Sequence, residues 1–367
     1  MERLYWLAWN GVLPAGGQQI IDLVAHFGSA AAAWASGERA LSFIYEHTHP
    51  RGQARRPMPE LIARVKASDP VREEALLKSA GARYLTWVDE EYPEALRHIF
   101  NPPAVLYYLG EVKPEDELAL ALVGSRRATY YGRDTAEKLS RDLAGAGVTV
   151  VSGMARGIDT AAHKGALAAG GRTIAVLGSG LDVVYPQEND KLMHQISDSG
   201  AVVTEFSLGA APEAWHFPVR NRIITGISRG LVVVEAAERS GALITAELAM
   251  EQGRDVMAVP GNVNSPFSRG PNRLIKQGAR LVENVDDILD EIGLTRLFDT
   301  QGGEKKSGPK LDQDEGRVLQ LIAAEPLAVD LIIRDSGLPT ERVASILTFL
   351  EVKGLARRLP AGLYFKC

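Results

Sequence analysis

The sequence predicts a doubly wound α/β fold. Three observations carry the prediction. Six near-continuous apolar runs recur between residues 118 and 259, helical segments separate most of them, and glycine-bearing turns follow most of the runs. Runs without polar alternation belong to parallel strands that helices cover on both faces. The chain has 367 residues, which exceeds one ordinary core and implies two or three domains.

Each element follows from its own pattern. Up to about residue 75 the chain reads as small helices. Ile20, Leu23, Val24 and Phe27 fall at i, i+3, i+4 and i+7, one face of a helix that Gly28-Ser29 stops. Residues 47–59 are rich in Pro, Gly and Arg and have no apolar period, so they read as a loop. Tyr84 to Trp87 and Val105 to Tyr108 read as short strands bounded by turn residues. The six buried strands are Leu118 to Val123, Val148 to Val151, Thr173 to Leu177, Ala201 to Val203, Leu231 to Val234 and Val256 to Val259. Residues 297–313 hold Gly302-Gly303, Lys305-Lys306 and Pro309 with almost no apolar residue, the composition of a linker.

The last segment has a small core of its own. Val318, Leu321 and Ile322 mark one helix. Leu331 and Ile332 start a second that Gly337 closes, and Val343, Ile346, Leu347 and Leu350 mark a third. Leu359 to Tyr364 reads as a hairpin. Three helices and a hairpin make a winged-helix pattern. The expected domains are therefore a helical module at 1–75, a Rossmann-like domain at 76–296, a linker at 297–312 and a winged helix at 313–367.

Composition excludes several function classes. The sole cysteine is Cys367, so no intramolecular disulfide forms and a reducing cytoplasm is expected. The apolar stretch after Arg3 is broken by Asn10, Gly11 and Pro14, unlike a signal peptide. No run of about 18 apolar residues exists to span a membrane. The net charge of −5 argues against a uniformly basic nucleic-acid binder. A binding footprint is local, however, and has to be sought segment by segment.

In a doubly wound sheet, ligands bind beyond the carboxyl ends of the strands. The residues there are Gly124-Ser125-Arg126-Arg127, then Gly153 through Arg156 and Gly157, then Gly178-Ser179-Gly180, then Ser240-Gly241, then Pro260-Gly261. Glycines let a backbone approach a ligand, and exposed amides at helix starts attract anions, so a phosphate ligand is expected. A dinucleotide fits poorly. Gly178-Ser179-Gly180 lacks the third glycine of the fingerprint, and the second strand ends in Ser152-Gly153 where an NAD enzyme needs an acid. No P-loop string is present either.

A nucleic-acid backbone fits better. Arg126, Arg127 and Arg133 lie in a stretch free of acids from Gly124 through Arg133. Arg220, Asn221, Arg222 and Arg229 lie in another, His216 to Leu231; Arg269, Arg273, Lys276 and Arg280 make a third cluster. Arginine grips phosphate oxygens with two donors, and several converging on amide loops make a phosphate track. Competing roles exist. Glycines at strand ends serve tight turns whatever the ligand, and Arg220 or Arg222 could pair with Glu205 or Glu235 inside the fold. Asp159 and His163 are one turn apart but have no evident third ligand, so a helix start and a packing residue are the expected roles. A tyrosine at Tyr92-Pro93 or Tyr185-Pro186 marks a turn first and a base-stacking ring second. No cofactor, metal or catalysis is expected.

The strings now become specific. Val151-Ser152-Gly153-Met154-Ala155-Arg156-Gly157-Ile158-Asp159 and the following Thr160-Ala161-Ala162-His163 resemble the signature of the DNA-processing protein A (DprA, or Smf) family. So do Val123-Gly124-Ser125-Arg126, Gly178 to Asp182 with Tyr185-Pro186, Phe217 to Ile224, Ser240 to Thr245 and Val259-Pro260-Gly261, in one collinear series. The resemblance implies binding of single-stranded DNA, delivery of that DNA to the RecA recombinase during natural transformation, and a homodimer formed through the Rossmann-like domain. It implies a DNA-binding role for Gly124, Ser125 and Arg126. Many family members carry a DNA-binding lysine directly after the Tyr-Pro pair; this sequence has Gln187, with Lys191 one turn further on. The N-terminal helices resemble a sterile-alpha-motif-like module associated with partner contacts. The third C-terminal helix mixes Glu341 and Glu351 with Arg342 and Lys353, so a protein contact or dimer support is as fitting as DNA. A competing reading is a nucleotide phosphoribohydrolase on a related Rossmann-like fold. That group resembles a Pro-Gly-Gly-x-Gly-Thr pattern followed by a glutamate; here Ser240 to Thr245 does not match, although Glu247 follows.

Overall fold

The structure, a computed structural model, describes residues 1–47, 58–294, 312–323, 327–353, 355–358 and 363–366. The chain forms two compact units, Met1–Thr295 and Arg296–Cys367.

The first unit opens with helices α1 (Glu2–Val12), α2 (Gly17–Phe27), α3 (Ala30–Ala35), α4 (Glu38–His47), α5 (Met58–Ala67) and α6 (Pro70–Ser79). Helix α2 is the one its apolar spacing predicts, and Gly28 ends it in the left-handed conformation, φ 84°. The indoles of Trp6 and Trp9 are buried and share one core with Tyr107, Leu177 and Val202 of the sheet. The helical segment thus packs on the sheet, and residue 75 falls inside α6. Residues 48–57, most of the expected loop, lie outside the described residues.

A nine-stranded sheet follows: β1 (Arg83–Thr86), β2 (Val105–Gly110), β3 (Ala119–Val123), β4 (Thr149–Ser152), β5 (Thr173–Val176), β6 (Ala201–Thr204), β7 (Gly230–Val233), β8 (Asp255–Ala258) and β9 (Arg280–Leu281). Its order is β1-β2-β6-β5-β4-β3-β7-β8-β9. From β6 to β9 every neighbouring pair is parallel, while β2 runs antiparallel to both β1 and β6. Winding proceeds outward from β3 to β6, then restarts at β7 on the other side of β3. The switch point therefore lies between β3 and β7. All residues of β3 through β7 are buried, as helix-covered parallel strands require. The covering helices include α7 (Glu94–Arg97), α8 (Tyr130–Gly145), α9 (Ile158–Ala168), α10 (Asp190–Ser199), α11 (His216–Ile227), α12 (Gly241–Glu251), α13 (Arg269–Lys276) and α14 (Val285–Glu291).

The second unit has helices α15 (Gln313–Leu321), α16 (Val329–Ser336) and α17 (Thr340–Val352). Strands β10 (Leu327–Ala328), β11 (Ala356–Arg358) and β12 (Leu363–Lys366) form a sheet in the order β10-β12-β11. Val318, Ile322, Ile332, Val343, Leu347 and Tyr364 meet in its core. On α17, Arg342 pairs with Asp312 at 2.8 Å and Asp314 at 3.1 Å, and Lys353 lies 3.6 Å from Glu315. Arg342 on the helix and Lys353 at its C-cap are thus both engaged within the unit. Of the expected linker, 297–312, all but Asp312 lies outside the described residues.

Candidate nucleic-acid interface

The carboxyl ends of the parallel strands bring together loops that are far apart in sequence. One buried carboxylate organises the first of them. Glu235, just past β7, is 3% exposed and accepts from the Thr129 backbone N–H at 2.8 Å and the Thr129 Oγ1 hydroxyl at 2.6 Å. Its own carbonyl accepts from the Ser125 N–H at 2.7 Å. Thr129 Oγ1 in turn accepts from the Gly132 N–H at 3.1 Å and so caps α8. The loop Gly124–Thr129 is fixed from beneath, and Arg126 and Arg127 are exposed above it. The Arg126 guanidinium lies 4.7 Å from the centre of the Phe217 ring, and that ring is 5.5 Å from Tyr185. Arg126 makes no ion pair among the described residues.

The loop after β4 is pressed against the first. Gly157 has φ 81° and sits under the Ser125 carbonyl, where a Cβ would collide. Gly153 lies flat on the guanidinium of Arg220, which also leaves no room for a Cβ. Arg220 is only 3% exposed. Its Nη1 donates to the Gly153 carbonyl at 2.7 Å and to the Val176 carbonyl, tying the ends of β4 and β5 together. Burial pulls its pKa down to about 10, against the opposing pull of Asp159. Asp159 is itself buried, accepts from the Ala155 N–H at 3.3 Å, and has its pKa raised by burial.

His163 is a core residue. The Thr173 hydroxyl donates to the Val150 carbonyl at 2.7 Å, so the His163 Nδ1 contact with Thr173 Oγ1, also 2.7 Å, is a donation from the ring. Nε2 then carries no proton, and it has no hydrogen-bond partner among the described residues. Burial, then the nearby Arg220 charge, push its pKa down to about 3. No group of three or more His, Cys, Asp or Glu able to hold a metal occurs among the described residues.

The expected site residues separate into an outer and an inner set. Arg222 belongs to the inner set. It forms a two-pronged pair with Glu205 at 2.5 and 2.7 Å, donates from Nε to the Asn101 carbonyl at 2.7 Å, and lies buried with its partner. Of the pairings of Arg220 or Arg222 with Glu205 or Glu235, the described residues contain Arg222 with Glu205. Asn221 is half-buried. The buried Gly178 carbonyl contacts His216 Nδ1 at 2.9 Å, and buried Gly180 donates its N–H to Ala210 at 2.9 Å. Ser240 caps α12 through Oγ, and Gly241 beside it is exposed.

In the outer set, Arg156 is exposed but engaged: it grips Glu188 with two hydrogen bonds of 2.6 Å. Gln187 and Lys191 are exposed on the same stretch. Arg273 and Lys276 are exposed on α13, while Arg269 faces Glu238 at 3.6 Å and Arg280 faces Glu291 at 3.8 Å. Glu247 is exposed on α12. Sequence reasoning missed Phe217 as the ring beneath Arg126, and Glu235 as the anchor of its loop. Neither contact has a local signal, since each joins segments far apart in sequence. No described helix is long and apolar enough to cross a membrane.

Comparison with known proteins agrees with this architecture. The family model for DNA recombination-mediator protein A matches residues 83–293, and that for the DprA winged helix domain matches residues 303–362. The chain is similar to Protein Smf of Synechocystis, 33% identical over 99% of this chain and 98% of the relative. It is 46% identical to DNA processing protein DprA of Streptococcus pneumoniae over 56% of this chain and 72% of the relative. The solved structure of S. pneumoniae DprA aligns with a TM-score of 0.65 and 36% identity, over 79% of this chain and 97% of that one. A Helicobacter pylori DprA structure, whose subject is a single-stranded DNA binding mode, aligns with a TM-score of 0.53 and 30% identity, over 59% and 97%.

Proposed function

The chain belongs to the DNA recombination-mediator protein A family, and from that premise we propose that it binds single-stranded DNA and delivers it to RecA. Phosphates run along the carboxyl ends of β3, β4 and β5. Arg126 and Arg127 hold them, with the Ser125 hydroxyl and the backbone around Gly124, Gly153 and Gly157. Lys191, Gln187 and Arg156 extend the track, and Ser240 and Gly241 border it. The protein works in the cytoplasm as a homodimer, protects the incoming strand during natural transformation, and does so without catalysis. The helical module at 1–75 and the winged helix at 313–367 serve partner contacts.

The observation that carries this reading is Arg126: exposed, free of ion pairs among the described residues, and held in place by a loop anchored on buried Glu235. A cation presented on a rigid loop loses little freedom when it meets a phosphate. The H. pylori relative adds support, because its structure concerns single-stranded DNA binding.

The test is a fluorescence-anisotropy titration of labelled oligo-dT across a series of salt concentrations. Affinity falls steeply with salt, because each phosphate contact releases counterions. Duplex bound as tightly as single strand would overturn the reading. For the delivery step, the chain shortens the lag in RecA's DNA-dependent ATP hydrolysis on a precoated strand. An unchanged lag would remove RecA loading while leaving DNA binding intact.

A further inference from the structure

The loop from β3 into α8 presents two rings that phosphate binding does not use. Tyr130 and Tyr131 open α8 and are 67% and 55% exposed. A tyrosine ring is mostly hydrophobic surface and ordinarily packs inward. Among the described residues the Tyr131 hydroxyl reaches only the Pro260 carbonyl, at 3.4 Å, just past β8. The first helical turn carrying the rings is fixed, because Thr129 is bonded twice to Glu235 and Gly132 presses on the same carboxylate. Arginines flank the pair. Arg126 and Arg127 precede it, and Arg133 follows, donating to the Ala128 carbonyl at 2.6 Å. No acid occurs from Gly124 through Arg133.

We propose that Tyr130 and Tyr131 form a base-stacking platform for the unpaired bases of the strand whose phosphates Arg126 and Arg127 hold. This rests on the single-stranded DNA reading above. Every base has a π face, so such a platform tolerates any sequence. A duplex hides those faces in its own stack, so the platform also supplies a preference for single strands. The flanking arginines favour this occupant over a second copy of the same face, which would place like charges opposite one another.

The experiment compares oligo-dT with an abasic strand of the same length and charge. The full-length chain carrying Tyr130→Ala and Tyr131→Ala loses roughly tenfold or more in affinity for oligo-dT, the size of a base–aromatic contact. Its affinity for the abasic strand does not change. The double Phe variant keeps the stacking face and binds oligo-dT like the parent, which separates a lost ring from a disturbed fold. Equal binding of oligo-dT by the Ala variant and the parent would overturn the platform alone. So would a matching loss on the abasic strand. Failure of the parent itself to bind oligo-dT would overturn the DNA reading and the platform together.

Discussion

Arg126 and Arg222 carry the same charge in similar acid-free stretches, yet opposite physics governs them. Arg126 is exposed over Phe217, whereas Arg222 is buried in a two-pronged pair with Glu205. Arg126→Ala therefore lowers affinity for oligo-dT alike across sequences and reduces the slope of log affinity against log salt by about one. Arg222→Ala leaves an unpaired buried carboxylate and destabilises the fold by about 3–5 kcal/mol, read from urea unfolding. In the fraction that remains folded, its salt slope matches the parent's. The arginines were legible as a cationic set, but the division between them was not. Glu205 lies 17 residues from Arg222, just past β6, and only the packing of α11 back onto that strand end brings them together. His163 illustrates a third case. Its folded pKa, about 3, lies below the ordinary imidazole value, so the unfolded chain binds the extra proton first. The stability that His163 contributes is complete above about pH 6.5 and is lost as pH falls from there toward 3. Asp159, with its pKa raised by burial, acts in the opposite sense, because acid neutralises a charge the fold disfavours. His163→Asn keeps a donor for Thr173 and removes the imidazole titration. Its urea midpoint falls less than the parent's between pH 7 and 5; equal falls would show that His163 does not set the acid sensitivity.

At the scale of elements, the loops after β4 and β5 are joined by one exposed ion pair. Arg156 and Glu188 meet through two hydrogen bonds of 2.6 Å, with roughly half of each side chain in water. Exposed pairs are screened by water and contribute little, so a phosphate can displace the carboxylate at little cost. Glu188→Gln removes that competitor without removing the cation. Tighter binding of oligo-dT and a salt slope steeper by about one are expected, and unchanged binding would place Arg156 off the track. The strands themselves were the most legible feature. Uninterrupted apolar runs placed β3 through β8 to within a residue or so, because both faces of each strand are covered. β9 escaped notice for the complementary reason: Arg280 and Leu281 are exposed at the sheet edge and give no periodic signal. The strand ends were legible as the place where the candidate loops gather. Which glycines serve packing was not, because Gly153 meets Arg220 and Gly157 meets Ser125 only after the chain has folded.

For the whole molecule, a net charge of −5 is compatible with the proposed DNA-binding role because binding depends on a local field. Beyond about a Debye length, roughly 8 Å at physiological salt, acids elsewhere on the surface are screened from a phosphate seated on Arg126. The division into two compact units sharpens this. Every proposed DNA contact lies in the first unit, and the second has its own core built on Val318, Ile332, Val343 and Leu347. Arg342 on α17 and Lys353 at its C-cap are already held by Asp312, Asp314 and Glu315, which leaves the second unit little free charge on that helix for a phosphate. A chain ending within residues 297–312 therefore retains a cooperative unfolding transition for the first unit. Its affinity for oligo-dT and its salt slope stay within about twofold and about half a unit of the full-length values, since each phosphate contact contributes about 0.7–0.9 to the slope. A slope lower by one or more would mean that the winged helix holds phosphate itself, and the track would then have to extend beyond the carboxyl ends of the sheet.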